Sequence, residues 1–282
     1  MIDETVEVDT PTEGEESAEP TGEPPRWVRI MATLVVVTPI VIAAVRAVRN
    51  DWFPIGDNAL LFIRTADVWT EDHPFLGSWT SASLSVGENM NNPGAFYDWL
   101  IAPFSHLLPP GPAAAMGVAT VNVLAITLIS ASAHRIGGWS FQRWVLLFTA
   151  ILAWAMGSEM LFDIWQANAL ILPFLSLLIL SIGVAEGDDG LLPWAGAVTS
   201  LLLQTHISYA YVFVFVALGV AGVRVWQRRR IDSSHWRRPV AITLGVVAVL
   251  WAPSVWEQLF GPGKGNISRL LGNASGGDFS LG

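Results

Sequence analysis

Long apolar runs recur along this chain, and several approach the roughly 20 residues a helix needs to cross a bilayer. That feature governs every other inference. The runs are continuous rather than alternating, which points to an all-α polytopic membrane protein. Composition agrees: 52% of the 282 residues are hydrophobic, only 14% are charged, and the mean hydropathy is +0.48. Soluble domains carry about a quarter charged residues. The absence of cysteine excludes a disulfide scaffold, thiol catalysis and any cysteine-based metal site.

The net charge of −9 is local in origin. Nine of the 24 acidic residues lie in the first 25 positions, from Asp3 to Glu23, with no base among them. The remaining 15 acids balance the 15 bases, so no basic surface is left for nucleic acid. Rich in Glu, Pro, Thr and Gly, residues 1–25 read as a disordered, cytoplasmic, acidic tail. They lack the basic start of a signal peptide, so the first apolar segment is expected to remain as an anchor.

The reading gives about seven transmembrane helices. Expected spans are Trp27–Val48, Ala113–Ala133, Phe141–Gly157, Ile164–Ala185, two short helices within Leu191–Val223, and Val240–Trp256. Arg26, Arg29, Arg135, Arg143, Arg224, Arg228, Arg229, Arg230, Arg237 and Arg238 fall on one side if 191–223 turns outward near Gln204–Ser208. The positive-inside rule makes that side cytoplasmic, with the N-terminus. Arg46 and Arg49, beyond the first span, run against the rule. A membrane domain 26–258 results, with a large outer first loop at 50–111 carrying amphipathic helices. Residues 259–282 form a polar, Gly-rich extra-cytoplasmic tail.

Chemistry collects on the outer side. Asp57 follows a Pro/Gly bend and opens a helical pattern over 58–72, where an N-cap belongs; it is either that cap or a carboxylate acting as general base or metal ligand. Asp51 flanks the span or shares that role. His73 lies in an extended Pro/Gly stretch, and Asn92-Pro93 is expected to cap an amphipathic helix over Pro93–Leu108, with Asn91 beside it. Arg64 is expected to pair with Asp67, or less simply to meet a phosphate. Gln204 and His206 interrupt an apolar run, and Asp163 begins a span on the same side with Asn168. No GK[ST] phosphate loop, HExxH or GxSxG is present, which disfavours ATP-driven transport and zincin-type proteolysis. Asn266-Ile-Ser and Asn273-Ala-Ser match the glycosylation sequon.

In their order, Asp51 with Gly56-Asp57-Asn58-Ala59, His73-Pro-Phe-Leu-Gly, Asn91-Asn-Pro-Gly, Gln204-Thr-His206 and Pro253 followed by Glu257-Gln258 make the chain resemble the GT-C integral-membrane glycosyltransferases. The likeness is to bacterial members of the dolichyl-phosphate-mannose protein mannosyltransferase-like group, and covers about 30–260. It implies a plasma-membrane enzyme that moves a sugar from a polyprenyl-phosphate donor to an extra-cytoplasmic glycan, lipid or protein acceptor. It assigns acceptor activation to Asp57 first and Asp51 second, with a divalent metal on them if any. Donor binding falls to His206, Gln204, His73, Arg64, Asn91 and Asp163. Members of the class have more spans, and often a C-terminal outer domain, so the resemblance implies a truncated member. The rival readings are a transporter or lipid-handling protein with a polar path through His206, Asp163 and Asn168, and a noncatalytic membrane scaffold.

Overall fold

A computed structural model describes residues 23–81, 83–84, 87–227 and 236–276. Most of the expected acidic tail, and Arg228, Arg229 and Arg230, lie outside these residues. Among the described residues the architecture is helical. The nearest approach to a strand is an isolated antiparallel bridge between Trp79 and Asn91.

The chain runs through α1 (Arg26–Arg49), α2 (Asp57–Ala66), α3 (Phe96–Ser105), α4 (Pro110–Met160), α5 (Gln166–Ala169), α6 (Ile171–Ala185), α7 (Leu192–Thr205), α8 (Tyr209–Trp226), α9 (Arg237–Phe260) and α10 (Asn266–Gly276). Five stretches are long and apolar enough to cross a membrane: α1, α4, α5 with α6, α8 and α9. Helix α4 has 51 residues but bends at Gly137 and Gly138, where Gly138 takes φ +60. A side chain is disfavoured in that left-handed conformation, so glycine is what allows the sharp change of direction. The expected break within 191–223 falls at His206–Ser208, between α7 and α8.

Small residues set the central packing. Ala43, Ala44 and Ala47 of α1 meet Ala115, Ala119 and Ala153 of α4, with Ile40, Ile126 and Leu146 filling the spaces between. Helices in lipid approach closely where side chains are small, because dispersion replaces the hydrophobic drive. Helix α3 lies on α4 in the same way: a Cβ at Gly117 would stand 2.4 Å from Ile101, so only glycine admits this contact. Helices α8 and α9 are peripheral. None of the residues of α8 is buried, and Ser254 is the sole buried residue of α9.

Two ion pairs fasten one end of the bundle. Arg135 at the α4 bend pairs with Asp188, its Nη2 reaching Oδ1 at 2.8 Å, and Arg224 of α8 pairs with Asp189 and donates to the Val184 carbonyl. The acidic turn and two of the asymmetric arginines therefore share that end. The opposite end carries the first loop.

Several local expectations change. Gly56, at φ +57, is the N-cap of α2, and Asp57 is its first helical residue with no capping bond. The helix stops at Ala66 rather than near residue 72, since Trp69 turns to φ +65. Helix α3 starts at Phe96, so Asn92-Pro93 does not cap it; the Asn92 side chain is spent on Ser78 and Ile207 instead. Arg64 makes no ion pair with Asp67 and lies beside Asp98. Part of the polar C-terminal segment is helical as α10, folded back onto the first loop.

Candidate functional site

The first loop is stitched to late segments of the chain. The Gly94 N–H donates to the Gln204 carbonyl at 3.3 Å, and the Ile207 N–H donates to Asn92 Oδ1 at 3.3 Å. Gln204 is buried, and its Nε2 donates to the Leu250 carbonyl of α9 at 2.9 Å. A Cβ at Gly94 would stand 2.2 Å from Gln204 Oε1, so glycine there admits the glutamine. Ser78 Oγ accepts from Asn92 at 3.2 Å and from Gln166 Nε2 at 2.6 Å, joining the loop to α5. Asn91, Gln204 and the His206 turn are thus in one polar layer, and Gln204 serves chiefly to hold it together.

Asp163 anchors the other side of this layer. It is buried, and accepts from Asn58 Nδ2 at 2.7 Å, Asn168 Nδ2 at 2.7 Å and the Trp165 N–H at 3.1 Å. Charged acceptors hold such donors strongly. Asn58 follows Asp57, so this cluster fixes the start of α2 while the Asp57 side chain stays exposed. Asp51 is exposed too, at φ +51, just beyond α1. The structure therefore brings Asp57 to the edge of the polar layer, leaving its carboxylate accessible.

His206 ends α7 in an extended conformation, half-buried, with Nδ1 accepting a long 3.4 Å contact from the Ser208 N–H. Burial lowers its pKa, which favours the neutral ring with Nε2–H as a donor. His73 is half-buried between rings: it stacks on Trp99 at 6.2 Å, meets Phe75 edge-on, and accepts from the Trp69 N–H at 3.0 Å.

Asp98 is the residue sequence reasoning missed. It is buried in α3, with Thr65 Oγ1 at 3.0 Å and Arg64 near. Burial pushes its pKa up to about 7, against the opposing pull of the Thr65 hydrogen bond and the Arg64 charge. Arg64 Nε is buried without a hydrogen-bond partner. The signal was present: Asp98 shares a helix face with Ile101 and Ala102, three and four positions on, so it had to go inward with them. Beside it, Tyr97 donates to the Ile164 carbonyl at 3.2 Å, and burial raises its pKa.

Below this layer an apolar groove of about 480 Å³ runs down the bundle. Phe96 and Leu100 of α3 line it at the loop end, Leu124, Leu128 and Leu201 along its length, and Arg135 at the far end. Among the described residues, no three His, Asp or Glu side chains converge as a metal site. No protein-family model, curated protein or solved structure matches the chain.

Proposed function

We propose that this chain is a membrane glycosyltransferase of GT-C type, moving a sugar from a polyprenyl-phosphate donor to an acceptor at the loop end of the bundle. The observation that carries this reading is the groove of about 480 Å³ that opens under α3. Its walls are almost wholly apolar, and Phe96 and Leu100 at its loop end belong to the helix that follows Asn91 and Asn92 in the polar layer. A long isoprenoid with one charged end needs that combination: an apolar slot for the chain and polar groups for the head.

In this reading seven helices cross the membrane. At 1.5 Å per residue, α4 would extend about 75 Å, more than twice the roughly 30 Å hydrocarbon core. Its bend at Gly137 and Gly138 makes it two crossings. Helix α7, with 14 residues, is the short seventh. The arginine end is cytoplasmic by the positive-inside rule, and the first loop faces outward.

Transfer is a displacement at the anomeric carbon: the acceptor oxygen bonds to that carbon as the bond to the donor phosphate breaks. Asp57 takes the acceptor proton as general base. The departing phosphate is met by the His206 Nε2–H at the turn between α7 and α8. The Asp163 cluster positions rather than reacts, since its oxygens already accept from Asn58, Asn168 and Trp165. The same engagement weighs against a polar transport path through that residue.

A photoreactive polyprenyl phosphate tests the reading. Cross-links should map to Leu124, Leu128 and Leu201 and be competed by unlabelled polyprenyl phosphate. Cross-links confined to α8 and α9 would contradict it.

A further inference from the structure

Where α1 ends, a smaller cavity of about 300 Å³ has no part in the chemistry above. Arg46 and Asn50 of the α1 end line it on one side, Ser158 and Glu159 of the α4 end on the other, with Ala47 and Phe162 as apolar wall. Opposite charges in one small cavity ordinarily pair. These do not: the ion pairs among the described residues are Arg135–Asp188 and Arg224–Asp189, so Arg46 and Glu159 stand more than 4.0 Å apart. Both side chains are exposed to the cavity mouth.

The surroundings are those of a lipid. Ile42 and Val45 of α1, and Ile151 and Trp154 of α4, leave large apolar side chains exposed on the two helices that form the cavity. An interfacial cavity above such a surface receives a headgroup while the acyl chains lie along the helices. The arginine also has to be accounted for, because Arg46, with Arg49 in the same last turn, falls at the end of α1 remote from Arg26, Arg29, Arg135 and Arg224.

We propose that this cavity binds the headgroup of a zwitterionic phospholipid carrying a primary ammonium, a phosphatidylethanolamine. Arg46 takes the phosphate through charge-assisted hydrogen bonds, and Glu159 takes the ammonium. Asn50 and Ser158 supply neutral polar contacts at the cavity wall. Selectivity follows from Glu159. A choline headgroup has no N–H to donate, and a glycerol headgroup brings no positive charge to offset the carboxylate. The site requires only that α1 and α4 meet a membrane, so it stands whether or not the chain transfers sugar.

The test is native mass spectrometry of the full chain released from bilayers of equal phosphatidylethanolamine, phosphatidylcholine and phosphatidylglycerol. The parent should retain the ethanolamine lipid in preference to the other two. Glu159→Gln should bring ethanolamine and choline lipids to near-equal retention. Arg46→Gln should lower retention of all three by about tenfold, the scale of one lost charge-assisted bond. The parent's own preference needs no variant, and its absence would overturn the proposal. So would both variants retaining ethanolamine lipid as the parent does.

Discussion

Asn266 and Asn91 exchange two hydrogen bonds: the Asn91 N–H donates to Asn266 Oδ1 at 2.9 Å, and Asn266 Nδ2 donates to the Asn91 carbonyl at 2.9 Å. Glu257 Oε2 accepts from the Asn266 N–H at 3.1 Å, and Arg269 reaches the Asn89 carbonyl at 2.8 Å. One buried amide thus replaces a backbone partner for the loop, and ties α10 and the end of α9 to it. Asn266→Ala leaves both Asn91 groups unpaired and should destabilise the fold by about 1–3 kcal/mol. A thermal midpoint equal to the parent's would contradict this. Buried and doubly engaged, Asn266 should also stay unmodified in a host that glycosylates sequons, which intact-mass measurement reads directly.

Asp98 should make stability depend on pH. Its folded pKa is about 7, against 3.8 for the free side chain. Between those values the unfolded chain has released the proton and the folded chain has kept it. Stability therefore falls as pH rises through this window, and is level above about 7. The difference amounts to something on the order of 2–4 kcal/mol. Asp98→Asn keeps an acceptor for Thr65 and removes the titration. Its thermal midpoint should match the parent's near pH 4 and exceed it at pH 7.5; parallel curves would refute the assignment.

Asp163→Ala should leave the half-buried Asn58 and Asn168 amides and the Trp165 N–H without their acceptor, lowering stability by about 1–3 kcal/mol. Asn58→Ala removes one of those donors, so adding it to Asp163→Ala should cost less than it does alone. Fully additive losses in a double-mutant cycle would mean that the two residues do not interact.

Orientation can be read with single cysteines, because the chain has none of its own. Glu88→Cys and Ile207→Cys should react with an impermeant thiol reagent in sealed cells. Arg238→Cys should react only after permeabilisation. Labelling of Ile207→Cys from the inside alone would overturn the outward turn between α7 and α8.

Much of the helical framework could be read from hydropathy and charge. The break at 206–208 followed from the need to return the arginines of 224–238 to the side of Arg135, and the pairing of Arg135 with Asp188 and of Arg224 with Asp189 places those groups at one end. The first loop was less legible, for a physical reason. Its short helices lack capping side chains and are placed by contacts with residues far away in the chain, such as Asn92 with Ile207 and Asn91 with Asn266. Local spacing therefore made Asn92 a cap when it is a clasp. Arg64 looked like a partner for Asp67 at helical distance, yet α2 ends at Ala66, before Asp67, and Arg64 lies beside Asp98 instead. Asp98 was legible through its helix face, but an acid among apolar neighbours is easily taken for a solvated one.

The turnover of Asp57→Asn in proteoliposomes, with a polyprenyl-phosphate sugar and its acceptor, decides whether this carboxylate is the base. Asp57 is exposed and makes no capping bond, so asparagine leaves the fold unchanged and removes only the base. Transfer by the variant should fall by about 10²–10⁴-fold, with an unaltered thermal midpoint. Transfer at the parent's rate would mean that Asp57 is not the base.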